Sequence, residues 1–273
     1  YFKSFEDMSL IIKILNVITY LCFLSTNLYS GLGPQKDKSP YSDTRPTYIT
    51  PAAFTFGVWG LIHLLLGCFV IYQFFTPVDE VVSEGIHWHF ISISLWNTAW
   101  IALWVNDLFI LSWVAIVITG CQVSHVYWIL KKKYPPHSLG DKLSIHLPFS
   151  LYHAWIAFVF LLSTFATFTT EKLPDQEPSL FIKVLVFLGS FFLGMHAIFY
   201  AEQIGGDVPG SIVIAWSLFG IAAGQEDPFI HWSAIVIGTI STLYILKPFV
   251  LKYFINRSGE RERERERESL LHP

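Results

Sequence analysis

Charge is what this sequence has least of. Only 14% of its 273 residues are Asp, Glu, Lys or Arg, against about 25% in soluble globular domains. The charged residues are bunched between long apolar runs. A disordered chain, a basic nucleic-acid-binding face and an ordinary soluble enzyme are thereby excluded. Acidic residues are missing from the interior of those runs. Glu202 and Asp207 follow the sixth run, and Asp107 sits in a short turn. This argues against an ion-coupled pump. Cysteine is also scarce. Cys22, Cys68 and Cys121 all lie in apolar runs without metal-ligand spacing, so buried free thiols are expected. Phosphate-binding glycine loops, nucleophile elbows and zinc helix motifs do not occur. No catalytic residue and no metal site is assigned on this basis. The first apolar run is long and lacks a small-residue cleavage site, so no cleavable signal peptide is argued.

What is abundant is apolar surface. Hydrophobic residues make up 53% of the chain and aromatics 17%, and the mean hydropathy is +0.48. A bilayer core about 30 Å thick needs about 20 apolar helical residues. Eight runs qualify: Ser9–Leu28, Phe54–Phe75, Ile86–Val105, Leu108–Leu130, Ile145–Phe168, Leu180–Tyr200, Pro209–Ala223 and His231–Val250. The seventh is short and is also readable as a re-entrant piece or a run starting near Ile204. Continuous rather than alternating runs exclude a β-barrel. The expected fold is all-α, a polytopic membrane bundle of about eight helices. Asn106-Asp107 predicts a tight hairpin between runs three and four.

With eight spans both termini share a side. That side holds Lys3, Lys131, Lys132, Lys133, Lys142, Lys247, Lys252 and the five tail arginines. The other holds Lys36, Lys38, Arg45, Lys172 and Lys183. The excess of basic residues predicts cytosolic termini. Net charge is −3 and says nothing of partners; no nucleic acid is expected. Residues 256–273 read as a charged, low-complexity tail, solvated and disordered or weakly helical. Its Glu266 with Leu270 and Leu271 fits an acidic dileucine sorting pattern. Asn256-Arg257-Ser258 matches a glycosylation acceptor that a cytosolic tail would leave unmodified.

Ten tryptophans are present. Trp88, Trp113, Trp128 and Trp232 suit membrane interfaces, whereas Trp59, Trp96, Trp100, Trp155 and Trp216 fall deeper in their runs. Trp88, Trp96, Trp100 and Trp104 recur at multiples of four, with Asn97 alongside. An amide in hydrocarbon needs a partner. Two readings stand: a helix-packing stripe, or an aromatic-walled pocket with Asn97 as polar handle. His63, His125, His153 and His196 are candidates for a haem iron or a proton, or are packing residues. His87-Trp88-His89 offers two imidazoles that diverge on one helix, a weak surface-metal signal. Val123–Lys131 around Tyr127, and Leu251–Arg257 around Tyr253, fit the loose sterol-contact pattern.

Three motifs in order carry a family resemblance over about residues 8–170. Tyr48-Ile49-Thr50-Pro51-Ala52-Ala53-Phe54, with Phe56, Trp59 and Gly60, resembles the threonine-proline approach to the second helix of the translocator protein, or tryptophan-rich sensory protein, family. Leu95-Trp96-Asn97 with Trp100 resembles its third-helix motif, and Leu147-Pro148-Phe149 with Trp155 and Phe158 its fifth. The family's double proline is Pro51-Ala52 here, its fifth-helix asparagine falls on Ser163, and three helices follow its usual five. The resemblance implies a five-helix bundle over 1–170, three further spans over 171–255 and the tail. It also implies a planar hydrophobic ligand, such as a porphyrin, haem or sterol, held by Phe56, Trp59, Asn97, Trp100, Trp155 and Phe158. The resident cofactor, if any, is open. The expected surroundings are a lipid bilayer and a hydrophobic small molecule. A homo-oligomer is compatible, with no small-residue motif deciding it. A small-molecule transporter and a membrane enzyme acting on lipid or pigment are the competing readings.

Overall fold

The computed structural model describes residues 2–34, 36–42, 45–75, 80–173, 176–202 and 206–271, and their side chains outside 2–7, 251–252, 254–256 and 258–271. Eight long helices account for it: α1 (Phe2–Leu32), α2 (Gly57–Tyr72), α3 (His89–Val105), α4 (Phe109–Lys133), α5 (Leu147–Phe168), α6 (Leu180–Glu202), α7 (Val208–Gly224) and α8 (Pro228–Leu271). Six are long and apolar enough to cross a membrane. The other two, α3 and α7, have 17 residues each, or about 26 Å at the helical rise. The chain is thus an integral membrane helical bundle.

Helix is what these sequences must form in hydrocarbon, because only helix pairs every backbone group locally. The hydroxyls inside the runs follow the same rule by bonding back to their own helix. Thr19 donates to Leu15 O, Ser94 to Phe90 O, Thr119 to Ala115 O and Ser217 to Val213 O, each at 2.8–2.9 Å. Longer polar side chains tie helices together. Asn16 Nδ2 of α1 donates to Oε1 of Gln73, just past α2, at 2.9 Å, and Tyr20 OH donates to His63 O at 2.8 Å.

Helix α5 is the centre. It buries 72% of its span, against 28–39% for the other five long spans. It packs on α2, α4 and α7, while α3 lies between α1 and α4, and α6, α7 and α8 pack on one another. The last three helices therefore dock on the first five chiefly through α7 against α5.

Several boundaries differ from the sequence expectation. Helix α3 starts at His89 rather than Ile86, because a π-turn over Val81–Ile86 ends in His87 at φ 47. The α3–α4 hairpin is as expected, with Asp107 at φ 60 and its N–H on Trp104 O at 2.9 Å. Helix α8 continues through the tail to Leu271. The side chains of Glu266, Leu270 and Leu271 lie outside the described residues. The cysteines are exposed on the outer faces of α1, α2 and α4, not buried. The tryptophan stripe also divides. Trp88 and Trp96 are 42% and 38% exposed, Trp100 and Trp104 only 2% and 5%. Steps of four drift about 40° each around a 3.6-residue helix, so sixteen residues pass from one face to another.

A small-residue pair escaped the sequence reading. Gly220 and Gly224 of α7 receive the segment Thr50–Thr55 instead of a second chain. Ala52 N donates to Gly220 O at 2.9 Å, Trp216 Nε1 to Thr55 O at 3.2 Å, and Gln225 Nε2 to Thr50 O at 2.6 Å. A Cβ on Gly224 would sit 2.6 Å from Ala52 N and 2.7 Å from Thr50 O. Because those neighbours are backbone, Gly224→Val should lower stability by about 1–3 kcal/mol, seen as a lower melting temperature in detergent. An unchanged melting point would show that α7 does not grip this segment.

At the other junction, Asp227 Oδ1 accepts from the N–H groups of Phe229 and Ile230, both at 3.1 Å, capping α8. Its Oδ2 meets Lys183 Nζ of α6 at 2.8 Å. Burial alone would raise the Asp227 pKa. The hydrogen bond from Lys183 and the two amides outweigh it and hold the carboxyl below the usual carboxylate range. A depressed folded-state pKa contributes stability above the unfolded value, near 3.9, and loses it as pH falls through the folded value. Melting temperatures should therefore drop on acidification below about pH 4 in the natural sequence. Asp227→Asn should start lower at pH 7 and lose less over that interval.

Candidate ligand site in the five-helix core

Thr50-Pro51 fixes an extended approach to the turn Ala53–Phe56, which runs directly into α2. This sets Phe56 at the rim and Trp59 one turn inside. Helix α3 contributes Asn97 and Trp100, both buried, and α5 contributes Trp155 and Phe158, both fully buried. Of the six side chains named from the sequence, Phe56, Trp59, Trp155 and Phe158 touch one another, while Trp100 joins them through Tyr41 and Asn97 through Tyr152. Trp155 is the hub, with ring centroids 5.9 Å from Phe56, 6.3 Å from Trp59 and 5.2 Å from Phe158. Tyr41, from the loop after α1, bridges Phe56 at 5.5 Å to Trp100 at 6.1 Å.

Asn27 of α1 latches this loop. Its Oδ1 accepts from Trp59 Nε1 at 2.6 Å and from Tyr41 OH at 2.5 Å. Burial pushes the Tyr41 hydroxyl well above the usual tyrosine range, with the Trp59 hydrogen bond opposing weakly. Tyr41 is therefore a protonated donor at any physiological pH. On the far side Asn97 Nδ2 donates to Tyr152 OH at 3.1 Å.

Several polar atoms in this core have no protein partner. They are Asn97 Oδ1, Trp100 Nε1, Trp155 Nε1 and both ring nitrogens of His63. Phe23 and Trp59 pack on the His63 ring at 4.6 and 4.7 Å. Ser163, where the family asparagine was expected, is buried with an unpartnered hydroxyl. Unpaired buried polar groups cost about 1–3 kcal/mol each. The void beside the cluster measures about 220 Å³ and is lined by Tyr41, Arg45, Phe56, Trp104 and Leu162 among others. Ligand pockets normally span about 300–1,000 Å³. A planar ligand would therefore have to displace side chains that line this void.

A family model described as TSPO-like protein matches residues 13–247. The chain belongs to the TSPO-like protein family. The match runs through α6 and α7 and into α8, so it takes in the helices beyond the five-helix unit. No curated protein and no solved structure matches the chain.

This TSPO-like chain also holds a polar cluster that the sequence reading missed. Asp207 was placed in a loop, outside the spans. It is 3% exposed, capping α7 through Gly210 N at 3.2 Å. It accepts from Tyr127 OH of α4 and Ser150 Oγ of α5, both at 2.6 Å, and pairs with Lys131 Nζ at 3.5 Å. Beside it, His153 is hydrogen-bonded through Nδ1 to Tyr200 OH and through Nε2 to Ser124 Oγ at 2.9 Å. His196 contacts the Tyr200 ring. Asp207 does lie outside the spans, at the N-cap of α7, yet it is buried. The available signal was Asp207 followed by Pro209-Gly210, a helix start. Tyr127 is 7% exposed with its hydroxyl on Asp207, so the sterol-contact pattern around it does not face lipid. Asn27 had the same signal as Asn97, an amide inside an apolar run.

Lys131 is 30% exposed, so removing Asp207 chiefly leaves the buried donors of Tyr127, Ser150 and Gly210 without their acceptor. Asp207→Ala should destabilise by about 1–3 kcal/mol, and Tyr127→Phe, which removes one hydrogen bond, by about 1–2 kcal/mol. Urea or thermal titration in detergent checks both, and an Asp207→Ala protein as stable as the parent would refute the role of this cluster.

Proposed function

We propose that this TSPO-like membrane protein binds a planar, hydrophobic ligand of tetrapyrrole or sterol shape in the aromatic core of α1–α5. The observation that carries this reading is the set of unpaired polar atoms among stacked aromatic rings. Trp100 and Trp155 offer two indole N–H donors, and Asn97 Oδ1 offers an acceptor. A flat ligand with peripheral carbonyl or carboxylate groups would stack on Trp59, Phe56 and Phe158 and satisfy those donors. In this reading residues 1–170 form the ligand-holding unit, 171–255 brace it and both termini face the cytosol. The Asp207–Lys131 pair supports a second reading, a small-molecule transporter, since charges in a bundle interior accompany translocation paths. Counterflow in proteoliposomes separates the two, because a binding protein gives none.

Titration of the detergent-solubilised protein with protoporphyrin and hemin, followed by tryptophan quenching and the porphyrin absorption band, should give saturable binding. Trp100→Phe should weaken it about five- to tenfold through the lost N–H donor, and Trp100→Ala, which removes the ring as well, by more than about tenfold. Binding unchanged by Trp100→Ala and by Asn97→Ala, in protein with the parent's helical circular dichroism, would discard the site.

A further inference from the structure

The end of the α3–α4 pair remote from the Tyr41 loop holds two histidines whose chemistry the aromatic core does not use. His89 is the first residue of α3, and His125 lies eight residues before the end of α4. Their rings approach to 4.7 Å between centroids with a 58° tilt. His125 is exposed and His89 half-buried, so an ion reaches them without any opening of the bundle. His89 Nδ1 lies 3.1 Å from Gln122 Oε1, and Gln122 Nε2 in turn donates to Ser92 Oγ at 2.6 Å. With the amide held that way round, Gln122 presents an acceptor, so Nδ1 carries the hydrogen and Nε2 of His89 keeps its lone pair. Metal-binding histidines are oriented in this manner, with the outer nitrogen donating to a carbonyl oxygen.

The spacing fits one shared ion. Two imidazoles on a tetrahedral ion with bonds of about 2.0–2.1 Å place their ring centres about 5 Å apart. Trp88 precedes α3 and Trp128 stands before the Lys131–Lys133 end of α4, and tryptophans beside lysines at helix ends gather at the membrane interface, where water is at hand to complete the coordination. Among the described residues no group of three or more His, Cys, Asp or Glu side chains forms a metal cage. The site therefore supplies two protein ligands. We propose that His89 and His125 bind a borderline divalent cation, Cu²⁺ or Zn²⁺, with Gln122 as the positioning residue. The ion clasps α3 to α4 at the membrane surface.

The test uses the full chain in detergent with its thiols blocked by N-ethylmaleimide, titrated with Cu²⁺ and followed by electron paramagnetic resonance. The first equivalent should show coupling to two imidazole nitrogens. His125→Gln and His89→Gln should each lower that affinity about tenfold or more and leave coupling to one nitrogen. Gln122→Ala should weaken binding about tenfold, and Gln122→Glu, which keeps an acceptor, should restore it. A first equivalent indifferent to both histidine substitutions overturns the proposal. His125 is exposed, so His125→Gln is expected to fold, and helical circular dichroism verifies this. Porphyrin binding is not a readout here, so the two sites succeed or fail separately.

Discussion

Hydrocarbon offers no hydrogen bonds, and that constraint organises the molecule. Each polar group placed inside the bundle either finds a protein partner or is a standing cost. Most find one nearby, as the hydroxyls do on their own helices. Others reach across. Asn16 meets Gln73, Asn27 gathers Tyr41 and Trp59, and Asp207 gathers Tyr127, Ser150 and Lys131. The unpaired atoms of Trp100, Trp155, Asn97 and His63 stand out against this background. They lie together among the aromatic rings, while Asn16 Oδ1, Thr55 Oγ1, Ser190 Oγ and Gln225 Oε1 are unpaired elsewhere in the bundle.

Helix α7 has a disproportionate share in the assembly. Its N-terminus is buried against α4 and α5 through Asp207, and its C-terminal turn holds the Thr47–Thr55 segment through Gly220, Gly224 and Gln225. The segment so held is the one that aims Phe56 and Trp59. The family match over residues 13–247 agrees with a unit in which these helices belong with the core.

The helical runs were legible in the sequence because a membrane span is defined by composition and length, and both are local. The aromatic residues of the core were legible through the family's motifs, not through helical spacing. What could not be read was pairing across the bundle. Asp207 looks like a loop residue until α4 and α5 close over it. The cysteines look buried because apolar runs do not reveal which side meets lipid. The tryptophan stripe failed for a geometric reason, since a period of four drifts off a 3.6-residue helix within a few turns. His87 moved the start of α3 because a single positive φ resets a helix, and no propensity announces that at a histidine. Gly220 and Gly224 resemble a dimer motif, yet they accept a segment of their own chain.

The two attachments of α7 have a mechanical consequence. One lies at Asp207 and the other at Gln225, at opposite ends of a stiff rod about 26 Å long. A rod fixed at both tips transmits tilt as a lever does. The Asp207 cluster and the Thr50-Pro51 segment are thus held at the two ends of one rigid element. The segment that aims Phe56 and Trp59 and the buried Asp207 cluster therefore depend on the same helix.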